Sequence, residues 1–386
     1  MKVAVGLSGG VDSALSAALL VEQGFAVTGV FMECWRETGC RTDEDRKDAL
    51  GVALKLKIPF KVLDYKKEYG QKVLAWFYQE YKKGRTPNPD IVCNQEIKFG
   101  LFLRWAMKNG FDRMATGHYA RLKVVNHSLA AIDNSAAPAA ADYLYTRCVD
   151  SSSPSSTHLR KLAAKKVNSF HLLQSVDEKK DQTYFLAMLK QEQLNRVLFP
   201  IGHLTKKQVR LEAKKRGLAV WNKKDSTGIC FVGHDLSFEK FLRREIVVHE
   251  GEIVDKKGVM VGKHKGVEFY TIGQRHGFNT NTKIKTQNAK PFYVIEKDLQ
   301  KNRLIVGRKK DLARKKFEVE GWHKIFNFQF SIFKNLKCRI RHQGRLIPCK
   351  IIGEKVFLKQ AEYGVAPGQA AVIYNKNECL GGGVIK

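Results

Sequence analysis

Val3-Ala4-Val5-Gly6-Leu7-Ser8-Gly9-Gly10-Val11-Asp12-Ser13 is the stretch from which the fold of the amino-terminal part of this chain is predicted. An apolar run leads into small residues, and a helical pattern follows from Ala14 to Glu22. Backbone N–H groups converge at such a strand–loop–helix junction, and the helix dipole makes that point electropositive, so it suits a phosphate group. Ser8 and Ser13 add hydroxyl donors, the glycines permit close backbone approach, and Asp12 could hold a metal ion.

The loop differs from the two best-known phosphate-binding patterns. A Walker A loop requires Gly-x-x-x-x-Gly-Lys-Ser/Thr, and residues 6–13 contain no lysine. The Gly-x-Gly-x-x-Gly pattern of dinucleotide-binding folds is absent as well. A plain Gly-Ser turn is the simpler alternative, but the order of strand, loop and helix favours a phosphate site.

Strand and helix patterns alternate after this loop. Strands are predicted at 2–7, 26–32, 60–64 and 112–116, and helices at 13–23, 43–57, 67–83 and 95–109. This alternation predicts an α/β fold with a doubly wound parallel sheet, covered by helices on both faces. Ligands bind at the carboxyl ends of strands in such sheets, where the loop at 6–13, Met32, Gly117 and His118 are expected.

The rest of the chain contains segments of different composition, which indicate an insertion and three domains. Small and polar residues dominate 123–168, which is predicted to be an exposed insertion, with a short hairpin possible at 141–148. Helical patterns return at 181–191, 205–216 and 237–244, and short strands with glycine turns follow. We predict a catalytic domain at 1–240, a small mixed central domain at 241–313 and a C-terminal β-barrel at 314–386.

The charge indicates a polyanionic partner. The 386 residues include 68 Lys and Arg against 38 Asp and Glu, a net charge of +30 that is spread along the chain. A folded surface that binds nucleic acid is therefore expected. No apolar run is long enough for a membrane span, and no signal or transit peptide is recognisable, so we expect a cytoplasmic protein without membrane contact.

Two of the eight cysteines lie in segments suited to chemistry. No Cys-x-x-Cys pair occurs, so no metal site is predicted, and free thiols in a reducing compartment are expected. Cys93 follows Pro-Asn-Pro-Asp90, and a helix is predicted from Asn94, so the helix dipole would favour its thiolate. Asp90, one turn earlier, could accept a proton or orient a substrate. Cys230 lies between Gly228 and Gly233, which suits a mobile loop, although a core cysteine fits equally well.

With the loop, these two segments resemble the tRNA-specific 2-thiouridylases, a family of the PP-loop, or N-type, ATP pyrophosphatases. Asn-Pro-Asp-x-x-Cys-Asn and Ser-Thr-Gly-Ile-Cys-Phe are its specific motifs. The resemblance covers nearly the whole chain, through Gly6–Ser13, Phe31–Met32, Pro87–Asn94, Ile97–Phe99, Ala115–Arg121, Lys180–Leu186, Asp225–Phe231, Thr271–Arg275, Ala366–Gln369 and Gly381–Gly383.

The resemblance implies a mechanism that uses ATP and Mg²⁺. ATP would bind at Gly6, Leu7, Ser8, Gly9, Gly10, Val11, Asp12 and Ser13, with Met32 and Gly117 around the adenosine. A flipped wobble uridine of tRNA would attack the α-phosphate through its 2-carbonyl oxygen. A Cys230 persulfide, charged by a sulfur carrier or cysteine desulfurase, would deliver sulfur, and Cys93 would resolve it as the second nucleophile. The cycle could run through a disulfide or an iron–sulfur cluster.

The resemblance also implies the tRNA contacts. They are Asn88, Pro89 and Asp90 at the target base, with Asp90 active in proton transfer, together with His118, Lys180, Asp181, Gln182, Arg341, His342 and Gln369. Histidine at 342 stands where the family has tyrosine. The alternatives are another PP-loop tRNA enzyme, such as a lysidine synthetase or a 4-thiouridine synthase, and a non-catalytic tRNA-binding protein.

Overall fold

The computed structural model describes residues 1–36, 41–128, 166–225, 231, 237–280 and 291–386. The helices are α1 Val11–Glu22, α2 Thr42–Leu56, α3 Lys66–Tyr69, α4 Ala75–Lys82, α5 Pro89–Cys93, α6 Leu103–Lys108, α7 Thr183–Leu186, α8 Gln191–Leu194, α9 Lys206–Lys215 and α10 Phe238–Leu242. The strands are β1 Lys2–Gly6, β2 Ala26–Glu33, β3 Phe60–Asp64, β4 Arg113–Ala115, β5 Ala120–Ser128, β6 Lys166–Gln174, β7 Val197–Leu198, β8 Gly251–Asp255, β9 Met260–His264, β10 Asn279–Thr280, β11 Tyr293–Asp298, β12 Arg303–Gly307, β13 Arg314–Lys324, β14 Leu336–Arg339, β15 Ile347–Ile352, β16 Lys355–Glu362, β17 Ala370–Asn375 and β18 Glu378–Ile385.

The first sheet is parallel and has helices on both faces, as the alternating pattern predicts. Its order is β3-β2-β1-β4-β7, with β1 in the centre. Val3 and Val5 pack on the side of α1, α2 and α9, whereas Ala4 packs on the opposite side, against α5 and α6. Successive side chains of a strand point to opposite faces, so a strand buried on both faces is apolar throughout.

The helix that contains Cys93 begins earlier than the sequence pattern predicts. It starts at Pro89, not at Asn94, and the helical path continues through a π-helical segment, Asn94–Phe102, into α6. Asn88 is the N-cap, because its Oδ1 accepts from the Asp90 N–H at 3.2 Å. Pro89 occupies the first helical position, where proline is favourable and does not end a helix.

A second prediction is also wrong in extent. In place of one helix at 181–191, the structure has the short helix Thr183–Leu186 and the start of α8 at Gln191. The apolar residues Tyr184, Ala187 and Leu189 are nevertheless buried in the core. Lys190 is extended (φ −94°, ψ 159°), and its N–H donates to Gln193 Oε1 at 2.8 Å, so a separate helix, α8, begins at Gln191 and no continuous helix runs through 181–191.

The second sheet is mixed, and the third is a closed barrel. The second sheet has the order β10-β9-β8-β12-β11, in which β8 and β12 are parallel and the other pairs are antiparallel. In the third, β13-β16-β15-β14-β17-β18 forms a ring of six strands that the pairing of β13 with β18 closes. The predicted mixed central region and C-terminal barrel are therefore present.

The predicted insertion has strands at both ends. β5 and β6 pair along nine residues, and β6 also pairs with β18 of the barrel at Glu378↔Leu173 and Cys379↔Leu172. Residues 123–128 and 166–168 therefore belong to this ladder, which corrects the predicted limits of the insertion. The hairpin suggested at 141–148 lies outside the described residues. Within the described ranges, no helix combines the length and hydropathy that crossing a bilayer requires.

Candidate active site

The loop lies at the carboxyl end of β1 and leads into the N-terminus of α1. The Ser8 N–H donates to Ser13 Oγ at 3.1 Å, and Ser13 Oγ donates to the Gly10 carbonyl at 3.1 Å. Gly10 is the N-cap of α1 and has no side chain to cap it. The first N–H groups of this 12-residue helix can therefore bind an anion, which the helix dipole also favours.

Two glycines at this site leave no room for a side chain. Gly9 has φ +75°, and a Cβ on it would lie 2.3 Å from the Asp45 carbonyl oxygen of α2. A Cβ on Gly117 would lie 2.6 Å from the Ser13 nitrogen. Met32 is near as well, with its Cε 3.3 Å from the position of a Cβ on Gly6. The strand ends thus bring together the loop, Met32 and Gly117, and the two glycines allow the neighbouring backbone segments to lie in contact.

Lysines from distant parts of the chain supply the positive charge that the loop lacks. Lys206 Nζ donates to both carboxylate oxygens of Asp12 at 2.8 Å. The Tyr119 hydroxyl donates to Asp12 Oδ1 at 2.8 Å. Lys223 Nζ donates to the Gly9 carbonyl at 3.0 Å and to Asp45 at 2.7 Å, and it also pairs with Asp48. Sequence reasoning missed both lysines.

A local signal for Lys206 was present in the sequence. Thr205 caps α9, where its Oγ1 accepts from the Gln208 N–H at 3.3 Å, and the Gln208 Oε1 accepts from the Thr205 N–H at 2.8 Å. This capping box fixes the first turn of α9, which contains Lys206. The motif predicts where the helix starts, but it does not predict which carboxylate the lysine reaches.

Asp225 joins three of the surrounding cations. Its carboxylate accepts from Lys180 at 2.8 Å, Lys206 at 2.9 Å and Arg210 at 2.8 Å. Burial acts to raise the pKa of Asp225, but the hydrogen bonds from Lys180 and Lys206 lower this pKa to about 2. The carboxylate is therefore ionised at neutral pH, and the chain Asp12–Lys206–Asp225 links the loop to the segment just before residue 226.

Cys93 lies in an aromatic cluster. Its side chain is 8% exposed and packs with Tyr69, Phe77, Ile97 and Phe231. The Phe231 ring lies 5.1 Å from that of Phe77 and 6.1 Å from that of Tyr69. Phe231 directly follows Cys230, which itself lies outside the described residues.

Asp90 and His118 have pKa values that burial shifts. Burial raises the pKa of Asp90, although the charge of Lys98 opposes the shift. Burial and the same lysine hold the pKa of His118 well below its usual value. The His118 ring is 8% exposed, and its Nδ1 lies 2.8 Å from Thr116 Oγ1, so a neutral ring fits its surroundings.

The remaining predicted tRNA contacts fall into two groups. Near the loop, Gln182 Oε1 accepts from the Tyr119 N–H at 2.9 Å. Asp181 is 1% exposed and pairs with Arg339 of the barrel at 2.8 Å. This buried pair connects the barrel to the part of the chain that contains the parallel sheet, which is called the catalytic unit below. In the barrel, Gln369 Nε2 donates to the Thr86 carbonyl at 2.7 Å, close to the start of α5.

Arg341 and His342 lie together in the turn that follows β14. Arg341 is half exposed and donates to Glu362 at 3.2 Å. The His342 ring lies 4.3 Å from that of Phe185, at an angle of 35°, and burial lowers its pKa. Histidine at this position therefore packs against an aromatic ring of the catalytic unit.

Comparison with known proteins identifies the family. Family models match three consecutive parts of the chain: "tRNA methyl transferase HUP domain" at residues 1–234, "tRNA methyl transferase PRC-barrel domain" at 239–308 and "Aminomethyltransferase beta-barrel domain" at 314–385. The "tRNA-specific 2-thiouridylase MnmA" of Streptococcus thermophilus is 38% identical over 395 residues, which cover 100% of this chain and 95% of that protein. The chain belongs to the MnmA family. The protein of the same name from Streptococcus mutans is 39% identical with the same coverage.

The three matched parts of this MnmA-family chain correspond to the three sheets. The parallel sheet lies within 1–234, the mixed sheet within 239–308 and the barrel strands within 314–385. A solved structure titled "U34-tRNA thiolase NcsA from Methanococcus maripaludis with its [4Fe-4S] cluster" has 20% identity and a TM-score of 0.34, and covers 60% of this chain and 61% of that one. This likeness is too low to argue from. In the described part of the chain, no three His, Cys, Asp or Glu side chains are grouped as metal ligands.

Proposed function

We propose that this protein replaces the 2-carbonyl oxygen of the wobble uridine of tRNA with sulfur, in a reaction that uses ATP. One observation supports this function most directly. The segment that contains Cys230 begins next to Asp225, which is linked through Lys206 to Asp12 of the loop, and it reaches Phe231 in the cluster of Cys93. The two ends of that segment thus adjoin the nucleotide loop and the second cysteine. Full-length relatives named as 2-thiouridylases support the same activity.

The loop and its lysines perform the activating half of the reaction. Backbone N–H groups of residues 8–13 bind the phosphates of ATP, while Lys206 and Lys223 offset their negative charge. The uridine 2-oxygen attacks the α-phosphorus, and pyrophosphate leaves. The oxygen is then part of a good leaving group, AMP. Mg²⁺ on the phosphates would stabilise the developing charge, and Asp12, a partly exposed carboxylate, could hold it.

The two cysteines perform the sulfur-transfer half. The terminal sulfur of a Cys230 persulfide attacks C2 of the uridine, and AMP leaves with the original oxygen. The Cys93 thiolate then attacks Sγ of Cys230, so a Cys93–Cys230 disulfide forms and the electron pair stays with the sulfur on the base. An external thiol reductant restores the cysteines. Asp90, whose pKa is raised by burial, contacts the base and takes part in proton transfer.

The proposal includes a partner and a location. A sulfur carrier or cysteine desulfurase supplies the persulfide, and the reaction takes place in the cytoplasm, where thiols stay reduced. The tRNA is contacted by Asn88, Pro89, His118, Lys180, Gln182, Arg341, His342 and Gln369. Asp181 acts differently: it is a positioning residue, since its carboxylate is buried between the catalytic unit and the barrel.

The test is a product analysis with unmodified tRNA. The protein is incubated with ATP, Mg²⁺ and a persulfide donor, or with S-adenosylmethionine instead, and the digested nucleosides are examined by mass spectrometry. We expect 2-thiouridine, with equal amounts of AMP and pyrophosphate, only in the first reaction. Methylated uridine in the second, or no thiolation and no pyrophosphate in the first, would refute the proposal. Cys93→Ser and Cys230→Ser should abolish thiolation, whereas Cys349→Ser, in the barrel, should retain it.

A further inference from the structure

A cavity lies where the three parts of the chain meet, and none of the site residues above lines it. Its volume is about 410 Å³. The catalytic unit contributes Lys83–Arg85 after α4, the mixed sheet contributes Ile295–Lys297 of β11, and the barrel contributes the start of β13. The contact is close, because a Cβ on Gly84 would lie 2.7 Å from Leu299 Cδ1. A ligand here would touch all three units.

The cavity lining is strongly cationic. Its charged residues are Lys83, Arg85, Lys297, Arg314, Lys316 and Lys386, with Glu296 as the single carboxylate among the described lining residues. Carboxylates already neutralise three of the cations. Lys83 pairs with Glu80 at 2.9 Å, Arg85 with Glu320 at 2.6 Å and Lys386 with Glu354 at 2.5 Å.

The other three cations have no such partner. For Lys297, Arg314 and Lys316, no carboxylate oxygen lies within ion-pair distance in the described ranges. Arg314 donates to the carbonyl oxygens of residues 311 and 313 at 3.0 and 3.3 Å, and Lys316 Nζ lies 5.4 Å from the ring centre of Phe357. Both side chains are exposed at the edge of the cavity and can bind an anion without losing an existing ion pair.

Lys297 lies deeper than the other two. Its Nζ donates to the Tyr270 carbonyl at 2.7 Å, which leaves further N–H groups to bind a ligand. Burial lowers the pKa of Lys297 to about 8, although the charge of Glu268 opposes the shift. Ionisation of this amine is therefore costly in the protein alone, and a bound anion would offset that cost.

We propose that this cavity binds a phosphate of the RNA backbone, through Lys297, Arg314 and Lys316. The inference rests on the proposed function, since it takes tRNA to be the polyanion. The volume favours a backbone segment over a small ion, because it lies in the range that encloses a ligand the size of a nucleotide. A phosphate held between three units would also fix their arrangement on the tRNA.

The experiment measures tRNA affinity at several salt concentrations. Arg314→Gln/Lys316→Gln removes two charges from exposed side chains. Its matched control is Lys55→Gln/Lys108→Gln, which removes two exposed charges on α2 and α6. We expect about tenfold weaker binding and a salt slope smaller by about 1 per lost contact for the first variant, with less change in the control. Lys297→Gln should also weaken tRNA binding and reduce the salt slope. Because Lys297 is partly buried, thermal unfolding of this variant is measured in parallel to separate a loss of binding from a loss of folding.

The outcomes separate this inference from the proposed function. Equal affinity and equal salt slope for the test and control variants would overturn it, even if the wild-type protein thiolates tRNA. Weaker binding of inorganic pyrophosphate with unchanged tRNA binding would overturn it too, because the cavity would then be a small-anion site. A wild-type protein that binds tRNA through this cavity but does not thiolate it would refute the proposed function alone.

Discussion

Lys206 supplies, from α9, the cation that the phosphate loop does not contain. It binds Asp12, which is 194 positions away in the sequence, and it also pairs with Asp225. In the proposed mechanism, the phosphates of ATP compete with these carboxylates for the ammonium group. The same side chain can therefore hold the empty loop in place and then stabilise the charge that develops on pyrophosphate.

Lys206→Met is the corresponding test at the residue scale. We expect pyrophosphate release to fall about a hundredfold, since a charged donor aimed at the reacting phosphates is lost. Lys207→Met is the matched control, because Lys207 is the next residue of α9 and is exposed. It should keep nearly full activity. Equal losses in the two variants would show that Lys206 contributes only general positive charge.

His118 predicts a pH dependence of stability. Its pKa is lower in the folded protein than the unfolded value near 6.5, so below that pH the unfolded chain binds the extra proton. The wild-type free energy of unfolding should therefore fall as pH drops below 6.5, by up to about 1.4 kcal/mol per pH unit from this group. Urea titrations of wild type and His118→Gln at pH 7, 6 and 5 measure it. The variant should show the shallower decline, and parallel curves would contradict the assignment.

The sequence predicts single residues best where a local rule applies. The glycine loop, Met32 and Gly117 follow from the rule that ligands bind at the carboxyl ends of parallel strands. Lys206 and Lys223 could not be assigned, because their partners are set by how α9 and the following turn pack against α1 and α2. No sequence spacing encodes that contact.

At the scale of the element, the junction between β1 and α1 depends on one glycine more than on its neighbour. Gly9 has φ +75° and lies against the backbone of α2, whereas Gly10 has φ −100° and a Cβ there would lie 3.5 Å from Ser8 Oγ. Gly9→Ala should lower the free energy of unfolding by at least about 2 kcal/mol, from left-handed strain plus the clash. Gly10→Ala should cost less than about 1 kcal/mol. Chemical denaturation compares them, and equal costs would be inconsistent with the described loop.

At the start of α5, the sequence contains signals for a helix start, but its two prolines also fit the end of the preceding helix. Asn88, Pro89 and Asp90 form an N-cap, a first-position proline and an acidic first turn, which together indicate a helix start. Interpreting both prolines as helix breakers moves the start to Asn94 and places Cys93 at the helix terminus. In the structure, Asp90 lies in the first turn of α5. Cys93 is the last residue of α5 and is followed by the π-helical segment, so it does not lie at a helix N-terminus.

At the scale of the molecule, a buried ion pair joins the catalytic unit to the barrel. Asp181 and Arg339 have side chains 0% and 7% exposed, respectively. The same carboxylate accepts from Gln174 and Thr183, so its hydrogen-bonding capacity is used within the protein. Removing one member leaves the other charge buried without its partner.

Asp181→Ala should therefore destabilise the protein by about 3–5 kcal/mol. The control is Glu354→Gln in the exposed pair with Lys386, whose side chains are 59% and 37% exposed. That change should cost less than about 1 kcal/mol, because water screens the pair. Urea denaturation of both variants gives the comparison. A small loss for Asp181→Ala would mean that the barrel is held on the catalytic unit by other contacts.

The order of the three units follows from the sequence, but their assembly does not. Alternating helices and strands, and then short strands with glycine turns, predict the fold of each part. The pairing of β18 with β6, by contrast, joins residues more than 200 positions apart through only two residue pairs. Such a contact has no periodic signature, so the extension of the barrel sheet by the antiparallel strands β6 and β5 could not be predicted.

In the proposed mechanism, ATP converts the uridine oxygen into a leaving group that sulfur then displaces. The most direct measurement uses tRNA whose wobble uridine has a heavy oxygen isotope at position 2, with ATP and a persulfide donor. After one turnover, mass spectrometry locates the heavy atom. We predict that it is in the phosphate of AMP, in an amount equal to the 2-thiouridine formed. Heavy oxygen in water or inorganic phosphate, or AMP without it while 2-thiouridine accumulates, would contradict the mechanism.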